Sequence, residues 1–294
     1  MKILVIGRNG MIGNGIYEYF KQKYSTYGTI KKRFSDYSIS KDCNIFEEID
    51  LANISSIESV INNLKPNAVI NCCGIIKQKS KDYSDEEHLY LNGKVPHLLL
   101  EFCIKKDIRL INLSTDCVFD GKKGFYNDTD IPNAADIYGI SKAIGEIAEG
   151  GCLTIRTSTI GLEVDNNHGL IEWFLSQKEK EIRGYNHAIY SGLTIKELGR
   201  YIEHILINFP GLVGLYNMAS ERISKYDLLS ILARKIENFK ILINKDSEFF
   251  CDRSLNGKAL DSITGFKVKS WEKMLSDLAL DINKRELKSK ALLK

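Results

Sequence analysis

The feature that most constrains the fold is a glycine-rich turn between an apolar N-terminal run and an amphipathic segment. Residues Lys2–Ile6 are apolar and partly β-branched, and the turn Gly7–Gly13, with the sequence GRNGMIG, follows directly. Beyond the turn, Ile12, Ile16 and Phe20 recur at helical spacing. The sequence therefore predicts a strand, a tight turn and a helix as its first structural unit.

The glycines of this turn suit the binding of a dinucleotide. Gly7 and Gly10 allow a tight turn and a close approach to a pyrophosphate, and Gly13 allows the helix to pack against the strand. The N-terminus of the helix would then present free N–H groups and a positive dipole end to phosphate. The spacing is G-x-x-G-x-x-G, which an ordinary turn of an α/β protein can also show, but the strand before it and the helix after it favour dinucleotide binding.

Composition excludes several classes of protein. The 294 residues are 44% hydrophobic, enough for one large α/β domain or a domain with a smaller lobe. Lys and Arg total 41 against 38 Asp and Glu, so the net charge of +3 gives no argument for nucleic-acid or membrane partners. Seven cysteines without a C-x-x-C pair indicate buried thiols in a reducing compartment rather than disulfides or zinc. With no signal-peptide pattern or membrane-spanning apolar stretch, we expect a cytoplasmic protein.

Strand and helix patterns alternate along the chain. Beyond the first unit, strands are predicted at residues 29–30, 43–50, 68–71, 107–113, 153–156 and 214–218, and helices at 54–64, 85–106, 170–177, 195–208 and 225–236. The alternation predicts an α/β fold, a Rossmann-type doubly wound parallel sheet with a smaller C-terminal substrate lobe. We place the NAD(P)-binding domain at residues 1–160 and the substrate lobe at 161–294, with elements of about 187–220 returning to the main sheet.

A tyrosine and a lysine four residues apart, Tyr138 and Lys142, would share one side of a helix that Asp136 caps. A free tyrosine titrates near pH 10, and a neighbouring ammonium favours the phenolate and lowers that pKa. Thr115, at the end of a predicted strand, could hydrogen-bond a substrate carbonyl beside the tyrosine. Together the three side chains would form a general-acid site for a ketone or an alcohol.

A longer stretch around these residues resembles a known family. Ser114–Gly121 (STDCVFDG), Gly124–Tyr126, Tyr138–Lys142 (YGISK) and Gly145-Glu146 are similar to the dTDP-4-dehydrorhamnose reductase family, a branch of the extended short-chain dehydrogenases/reductases. The resemblance runs from residue 2 to about residue 225. It implies reduction, by NADPH or NADH, of a 4-keto group on a 6-deoxyhexose attached to a nucleoside diphosphate.

The resemblance also implies roles for individual residues. Thr115 would hydrogen-bond the C4 carbonyl, Tyr138 would protonate the forming alkoxide, and Lys142 would hold the nicotinamide ribose and lower the pKa of Tyr138. With the glycine turn and the basic residues after the second strand, the predicted cofactor-binding set is Gly7, Asn9, Gly10, Met11, Ile12, Arg33, Asp50, Leu51, Cys73, Gly74, Ile75, Tyr138 and Lys142. The predicted substrate-binding set is Thr115, Cys117, His187 and Arg253, and no metal site is predicted.

The sequence departs from the family on the sugar side. Cys117 stands where the family commonly has a tyrosine that lines the sugar site. The segments 168–175 and 184–192 look unlike the rhamnose enzymes and resemble a subgroup found among bacterial surface-sugar pathways. We therefore expect a nucleotide-activated 4-keto-deoxysugar or amino-sugar rather than dTDP-rhamnose itself.

Two predicted roles have an alternative, and a third residue is a candidate for the phosphates. The basic run Lys31–Arg33 could hold the 2′-phosphate of NADPH or be an ordinary solvated charge run, so NADPH is preferred and NADH stays open. His187 could contact the substrate or be a structural histidine. Arg253 is a candidate for the substrate diphosphate, because arginine binds phosphate bidentately.

Several functions fit the same residues. The first is an NAD(P)H-dependent reductase of a nucleotide-activated 4-keto-6-deoxy sugar in bacterial surface-polysaccharide sugar biosynthesis. A 4,6-dehydratase would need an Asp-Glu pair after the threonine, but Asp116 is followed by Cys117. A sugar-nucleotide epimerase and a non-catalytic dinucleotide-binding regulatory subunit remain as alternatives. The expected partners are the nucleoside-diphosphate 4-keto-deoxysugar and, as an open alternative, a second copy in a homodimer.

Overall fold

A seven-stranded parallel sheet forms the centre of the molecule. The computed structural model describes residues 1–36, 42–164 and 169–292. The strands are β1 (Lys2–Ile6), β2 (Ser25–Thr29), β3 (Ile45–Phe46), β4 (Ala68–Asn71), β5 (Arg109–Thr115), β6 (Cys152–Thr157), β7 (Thr159–Ile160), β8 (Glu181–Tyr190), β9 (Leu193–Thr194), β10 (Gly214–Asn217), β11 (Ile223–Ser224) and β12 (Leu242–Asp252). The main sheet has the order β10-β6-β5-β4-β1-β2-β3, and all its pairs are parallel.

Helices cover both faces of this sheet. They are α1 (Met11–Phe20), α2 (Ile54–Leu64), α3 (Asp85–His88), α4 (Val95–Lys105), α5 (Ile137–Ile144), α6 (Leu170–Leu175), α7 (Ile195–Asn208), α8 (Lys225–Lys235), α9 (Lys258–Thr264) and α10 (Trp271–Leu292). Alternate residues of β1 face opposite sides: Ile3 and Val5 belong to the larger apolar core, and Leu4 and Ile6 to a second core under α2 and α4. The predicted fold class, a doubly wound parallel sheet, is confirmed.

The strand order reverses between β1 and β4, which creates the crevice where ligands bind in such sheets. In the parallel register Ile6 lies opposite Asn71, and Thr115 lies opposite Thr157. The turn after β1, the loop after β4 and the end of β5 therefore lie along one edge of the sheet. This edge carries the residues that the sequence singles out.

The C-terminal part builds a second, smaller sheet with the order β11-β8-β12. In the part of the chain that the structure describes, one strand after β6 returns to the main sheet, where β10 pairs with β6. The larger core runs without interruption from Val5 and Ile16 to Leu228 and Leu275. The division into domains at residue 160 stays a prediction.

Several predicted elements differ from the structure. The predicted helix 85–106 is divided into three successive parts: α3, a π-helical turn over Leu89–Lys94, and α4. Pro96 lies at the start of α4, where proline is tolerated. The predicted strand at 29–30 occupies Ser25–Thr29, and the one at 43–50 has only two residues in strand conformation. Strands β8 and β12 were not predicted.

Two predictions from composition can also be compared with the structure. All seven cysteines are free thiols, but only Cys103 and Cys152 are fully buried, and Cys43 is exposed, contrary to the expectation of buried thiols. Within the described ranges, the longest helix is too polar to cross a bilayer and the others are too short or too polar.

Candidate active site

The turn after β1 is shaped by its glycines. Gly7 has a positive φ of 80°, and a Cβ on it would lie 3.1 Å from the Cα of Cys73. A Cβ on Gly13 would lie 2.1 Å from the carbonyl oxygen of Gly7, so only glycine lets α1 pack this closely against the turn. The N-cap of α1, Gly10, offers no side chain to the first N–H groups of the helix. This cradle fits the pyrophosphate of a dinucleotide, and Asn9, Met11 and Ile12 lie in it.

Thr115, Tyr138 and Lys142 meet at the end of β5. Asp136 caps α5, its Oδ1 accepting from the Gly139 N–H at 3.0 Å, and this sets the helix that carries Tyr138 and Lys142. A Cβ on Gly139 would lie 2.4 Å from the carbonyl oxygen of Cys117, so the glycine permits close packing of α5 on the turn Asp116–Val118.

The side chains of this site are held by short contacts. The Lys142 ammonium donates to the Leu113 carbonyl at 2.6 Å, and Lys142 is 9% exposed. The Thr115 hydroxyl donates to Asp116 Oδ1 at 3.1 Å and accepts from the Cys117 N–H at 3.1 Å. The resulting arrangement is a hydroxyl, a phenol and an ammonium at one strand end, beside a buried carboxyl group.

The pKa values do not follow the predicted direction. Burial raises the pKa of Tyr138 well above its usual range, Cys117 adds to the rise, and the Thr115 hydroxyl acts in the opposite direction. Burial also lowers the pKa of Lys142, against the effect of Glu146. The direction is opposite to the one expected from Lys142, because desolvation of the phenol and the charges of Cys117, Asp116 and Asp136 all raise the pKa of Tyr138.

The sequence interpretation missed Asn92, which lies in the π-helical turn and is 1% exposed. Its Oδ1 accepts from the Ile75 N–H at 2.8 Å, and its Nδ2 donates to the Ile75 carbonyl at 3.1 Å and to Ser141 Oγ at 3.2 Å. A Cβ on Gly74 would lie 2.6 Å from Asn92 Oδ1 and 4.0 Å from the Lys142 ammonium. The side-chain amide of Asn92 thus joins the loop Cys73–Ile75 to α5. In the sequence, the only sign of this irregular turn is the break in the helical pattern before Pro96.

The basic residues predicted for the adenosine end of the cofactor follow the carboxyl end of β2. Arg33 Nε pairs with Glu48 at 3.1 Å and Lys31 with Asp50 at 3.1 Å, and all four side chains are exposed. Leu51 is 4% exposed and belongs to the second core. The predicted basic side chains are therefore present at this edge and carry acidic partners.

Arg8, inside the glycine turn, was not predicted. It is 4% exposed, donates to Glu18 at 3.2 Å and lies over the Tyr17 ring, 5.1 Å from its centroid. Its guanidinium therefore fastens the turn to α1.

On the substrate side the structure brings together Cys117 and Arg253 but not His187. Arg253 Nε donates to the Phe119 carbonyl at 2.8 Å, two residues beyond Cys117. His187 is exposed on β8, on the face opposite that of Tyr190. His168, where one of the unusual segments begins, lies outside the described residues.

Arg156, at the end of β6, is structural. Its guanidinium binds Glu146 twice, at 2.8 and 2.7 Å, and both side chains are buried. The Ser114 hydroxyl donates to the same carboxylate at 2.7 Å. This network fixes the end of β5 beside α5.

Comparison with known proteins agrees with this architecture. A dTDP-4-dehydrorhamnose reductase of Aggregatibacter actinomycetemcomitans is 29% identical over 210 residues, 68% of this chain and 71% of that protein. The methionine adenosyltransferase 2 subunit beta of Danio rerio is 27% identical over 146 residues, 49% of this chain and 42% of that protein.

Among solved structures, a dTDP-4-dehydrorhamnose reductase of Bacillus anthracis in complex with NADP is similar with a TM-score of 0.77. It has 20% sequence identity, and the match covers 95% of this chain and 99% of that one. The model of the family described as RmlD substrate binding domain matches residues 1–237. The chain belongs to this family, the RmlD substrate-binding-domain family.

Proposed function

We propose that this chain is an NAD(P)H-dependent reductase of a nucleotide-activated 4-keto-6-deoxy sugar, with a role in the surface-sugar pathways of bacteria. The observation that carries the proposal is the convergence of Thr115, Tyr138 and Lys142 at the end of β5, beside the glycine cradle. The chain is an oxidoreductase whose chemistry depends on a nicotinamide dinucleotide. The named dTDP-sugar reductases among its relatives support the substrate class.

When bound, the dinucleotide supplies the hydride that the C4 carbon of the sugar receives. The N–H groups at the start of α1 would bind its pyrophosphate, and Lys142 would donate to its nicotinamide ribose. Tyr138 gives its proton to the C4 oxygen as the alkoxide forms. The raised pKa of Tyr138 leaves the phenol protonated at neutral pH, as the proton donor of this step must be, although it makes the phenol a weaker acid than an ordinary tyrosine.

Thr115 orients the C4 oxygen. A hydroxyl carries one hydrogen, which Thr115 donates to Asp116 in this structure. To donate to the sugar oxygen, Thr115 must therefore rotate away from Asp116, whose pKa burial raises. A protonated Asp116 could in turn donate to Thr115, which frees the threonine hydrogen for the substrate.

We propose NADPH as the preferred cofactor, with NADH also used. Lys31 and Arg33 lie next to the end of β2, where the adenosine ribose is read. Their ion pairs with Asp50 and Glu48 are exposed, and exposed pairs of this kind are weak. Either side chain can therefore exchange its carboxylate for a 2′-phosphate.

The experiment is a panel of dTDP- and UDP-linked 4-keto-6-deoxy sugars, assayed with NADPH and with NADH. We expect consumption of the reduced cofactor with at least one sugar, and a higher kcat/KM with NADPH. In Tyr138→Phe, loss of the general acid lowers kcat by about 10²- to 10⁴-fold while the Kd for NADP⁺ is unchanged. Full turnover by this variant would disprove the mechanism.

A non-catalytic dinucleotide-binding subunit is the second candidate, favoured by the similarity to methionine adenosyltransferase 2 subunit beta. The same panel separates the two functions. A regulatory subunit would bind NADP⁺ tightly, consume no reduced cofactor with any keto sugar, and bind equally well as Tyr138→Phe. The homodimer and the cytoplasmic location stay predictions.

A further inference from the structure

A cavity of about 420 Å³ lies between α1, the start of α7 and α10. This volume is within the range of small-molecule sites. Part of its wall is apolar and is formed by Ile160, Leu162 and Leu278. Within the described ranges, no residue that lines it belongs to the predicted catalytic, cofactor-binding or substrate-binding sets. The cavity is therefore a second place where the molecule can hold a small ligand.

The start of α7, which lines this cavity, lacks a side-chain cap. Thr194 and Glu197 have the T-x-x-E spacing of a capping box. Among the described residues neither bond of the box forms, because the Thr194 hydroxyl accepts from no N–H of the first turn and the Glu197 carboxylate binds Arg200 and the Lys269 N–H instead. Arg200 also balances the charge of Glu197. This 14-residue helix therefore presents its positive dipole end to the cavity.

The Thr194 hydroxyl is a polar group without a partner in the wall of the cavity. Thr194 is only 3% exposed. In the part of the chain that the structure describes, its hydroxyl makes no hydrogen bond, and the oxygen opens to the cavity rather than being enclosed by protein. A hydroxyl that has lost most of its access to water is costly to leave unpaired. A ligand in the cavity would supply the missing acceptor.

The free charges at the rim of the cavity favour an anion. Lys196, the second residue of α7, and Lys284 of α10 are exposed there, and neither forms an ion pair with a described residue. Of the carboxylates at the rim, Glu18 and Asp277 are already paired with basic side chains. Asp281 is the acid there that has no partner among the described side chains. Two free ammonium groups against one free carboxylate leave an excess of one positive charge, which adds to the dipole of α7.

We propose that this cavity binds a small organic carboxylate through Thr194 and Lys196, separately from the reductase site. The Thr194 hydroxyl and the uncapped N–H groups at the start of α7 donate to the carboxylate oxygens, and the Lys196 ammonium balances the charge. An excess of one positive charge suits a monocarboxylate better than a phosphate dianion. The apolar wall accommodates the hydrocarbon part of the ligand. The site does not depend on the proposed function.

The test is an NMR titration of hexanoate into the full chain at pH 7. The chain is saturated with NADP⁺, so that the start of α1, the other helix terminus suited to an anion, is occupied. Hexanol and hexylamine have the same chain length and serve as comparison ligands, together with inorganic phosphate. We expect hexanoate to bind roughly tenfold tighter than the alcohol, the amine or phosphate, because hydrogen bonds to a charged acceptor are the stronger ones.

Substitutions assign the binding to this cavity. Thr194→Val keeps the shape of the side chain, removes the hydroxyl and raises the Kd for hexanoate roughly tenfold. Lys196→Met raises it roughly threefold, whereas Asp281→Asn removes the free carboxylate and lowers it roughly two- to threefold. Lys258→Met is the matched control, because Lys258 is the exposed first residue of α9 and lies outside the cavity lining.

Several outcomes would overturn the proposal: no binding of hexanoate, equal or tighter binding of hexanol, hexylamine or phosphate, or wild-type affinity in Thr194→Val. If Thr194→Val does not fold, the opposite shifts of Lys196→Met and Asp281→Asn still decide, since both positions are exposed. Absence of either shift then contradicts the site. The readout is binding and involves no turnover, so failure of the keto-sugar panel overturns the proposed function and leaves this site unaffected.

Discussion

Gly13 controls how closely α1 approaches the turn after β1. We expect Gly13→Ala to destabilise the fold by about 1–3 kcal/mol, because its Cβ would lie 2.1 Å from the Gly7 carbonyl oxygen and must displace backbone. The same displacement opens the pyrophosphate cradle and raises the Kd for NADP⁺. Urea unfolding and NADP⁺ titration measure the two effects. Gly211→Ala is the control, since nothing lies within 4 Å of a Cβ there; equal effects from both variants would refute the steric explanation.

The π-helical turn Leu89–Lys94 holds the loop Cys73–Ile75 through the side chain of Asn92. In Asn92→Ala the buried N–H and carbonyl of Ile75 lose their partners, which costs about 1–3 kcal/mol for each unsatisfied group. We expect a lower Tm and weaker NADP⁺ binding, because Gly74 of the same loop lies beside the Lys142 ammonium. Asn62→Ala, at an exposed position within α2, should lower neither the Tm nor the NADP⁺ affinity. Unaltered NADP⁺ affinity in Asn92→Ala would mean that the loop is held by other contacts.

The elements that the sequence predicts well have local causes. Helix α2 begins and ends where predicted, because its last turn meets Lys65 in the left-handed conformation and a proline follows. The ends of α7 were also predicted correctly. Asp136 was recognised as a cap because capping needs only neighbouring residues.

The elements that were missed depend on distant partners. Strand β12 is an edge strand with mostly exposed residues, so no alternation marks it in the sequence. Lys225, the first residue of α8, lies over the Tyr190 ring because α8 packs against β8, a contact between distant parts of the chain. The direction of the Tyr138 pKa shift likewise depends on how deeply the fold buries the phenol. The spacing of Tyr138 and Lys142 along the sequence gives no information about that burial.

At the scale of the whole molecule, the C-terminal half supplies part of the core of the N-terminal half. Tyr201 and Leu198 of α7 pack in the same apolar cluster as Ile16 of α1, and the Tyr19 hydroxyl donates to Glu203 across the two helices at 2.5 Å. Helix α10 contributes Leu275, which is fully buried. The lobe is thus continuous with the main sheet in its packing.

This continuity predicts a single cooperative unfolding transition, although the chain has 294 residues and two sheets. Both tryptophans, Trp173 and Trp271, lie beyond residue 160, so their fluorescence reports the C-terminal half, whereas far-UV circular dichroism reports every helix. We expect the two urea transitions to coincide, because loss of either half removes buried contacts from the other. NADP⁺ should shift both midpoints upward by the same amount, since it binds only the folded chain. Separate midpoints, with NADP⁺ moving only one of them, would instead divide the molecule into independently stable domains.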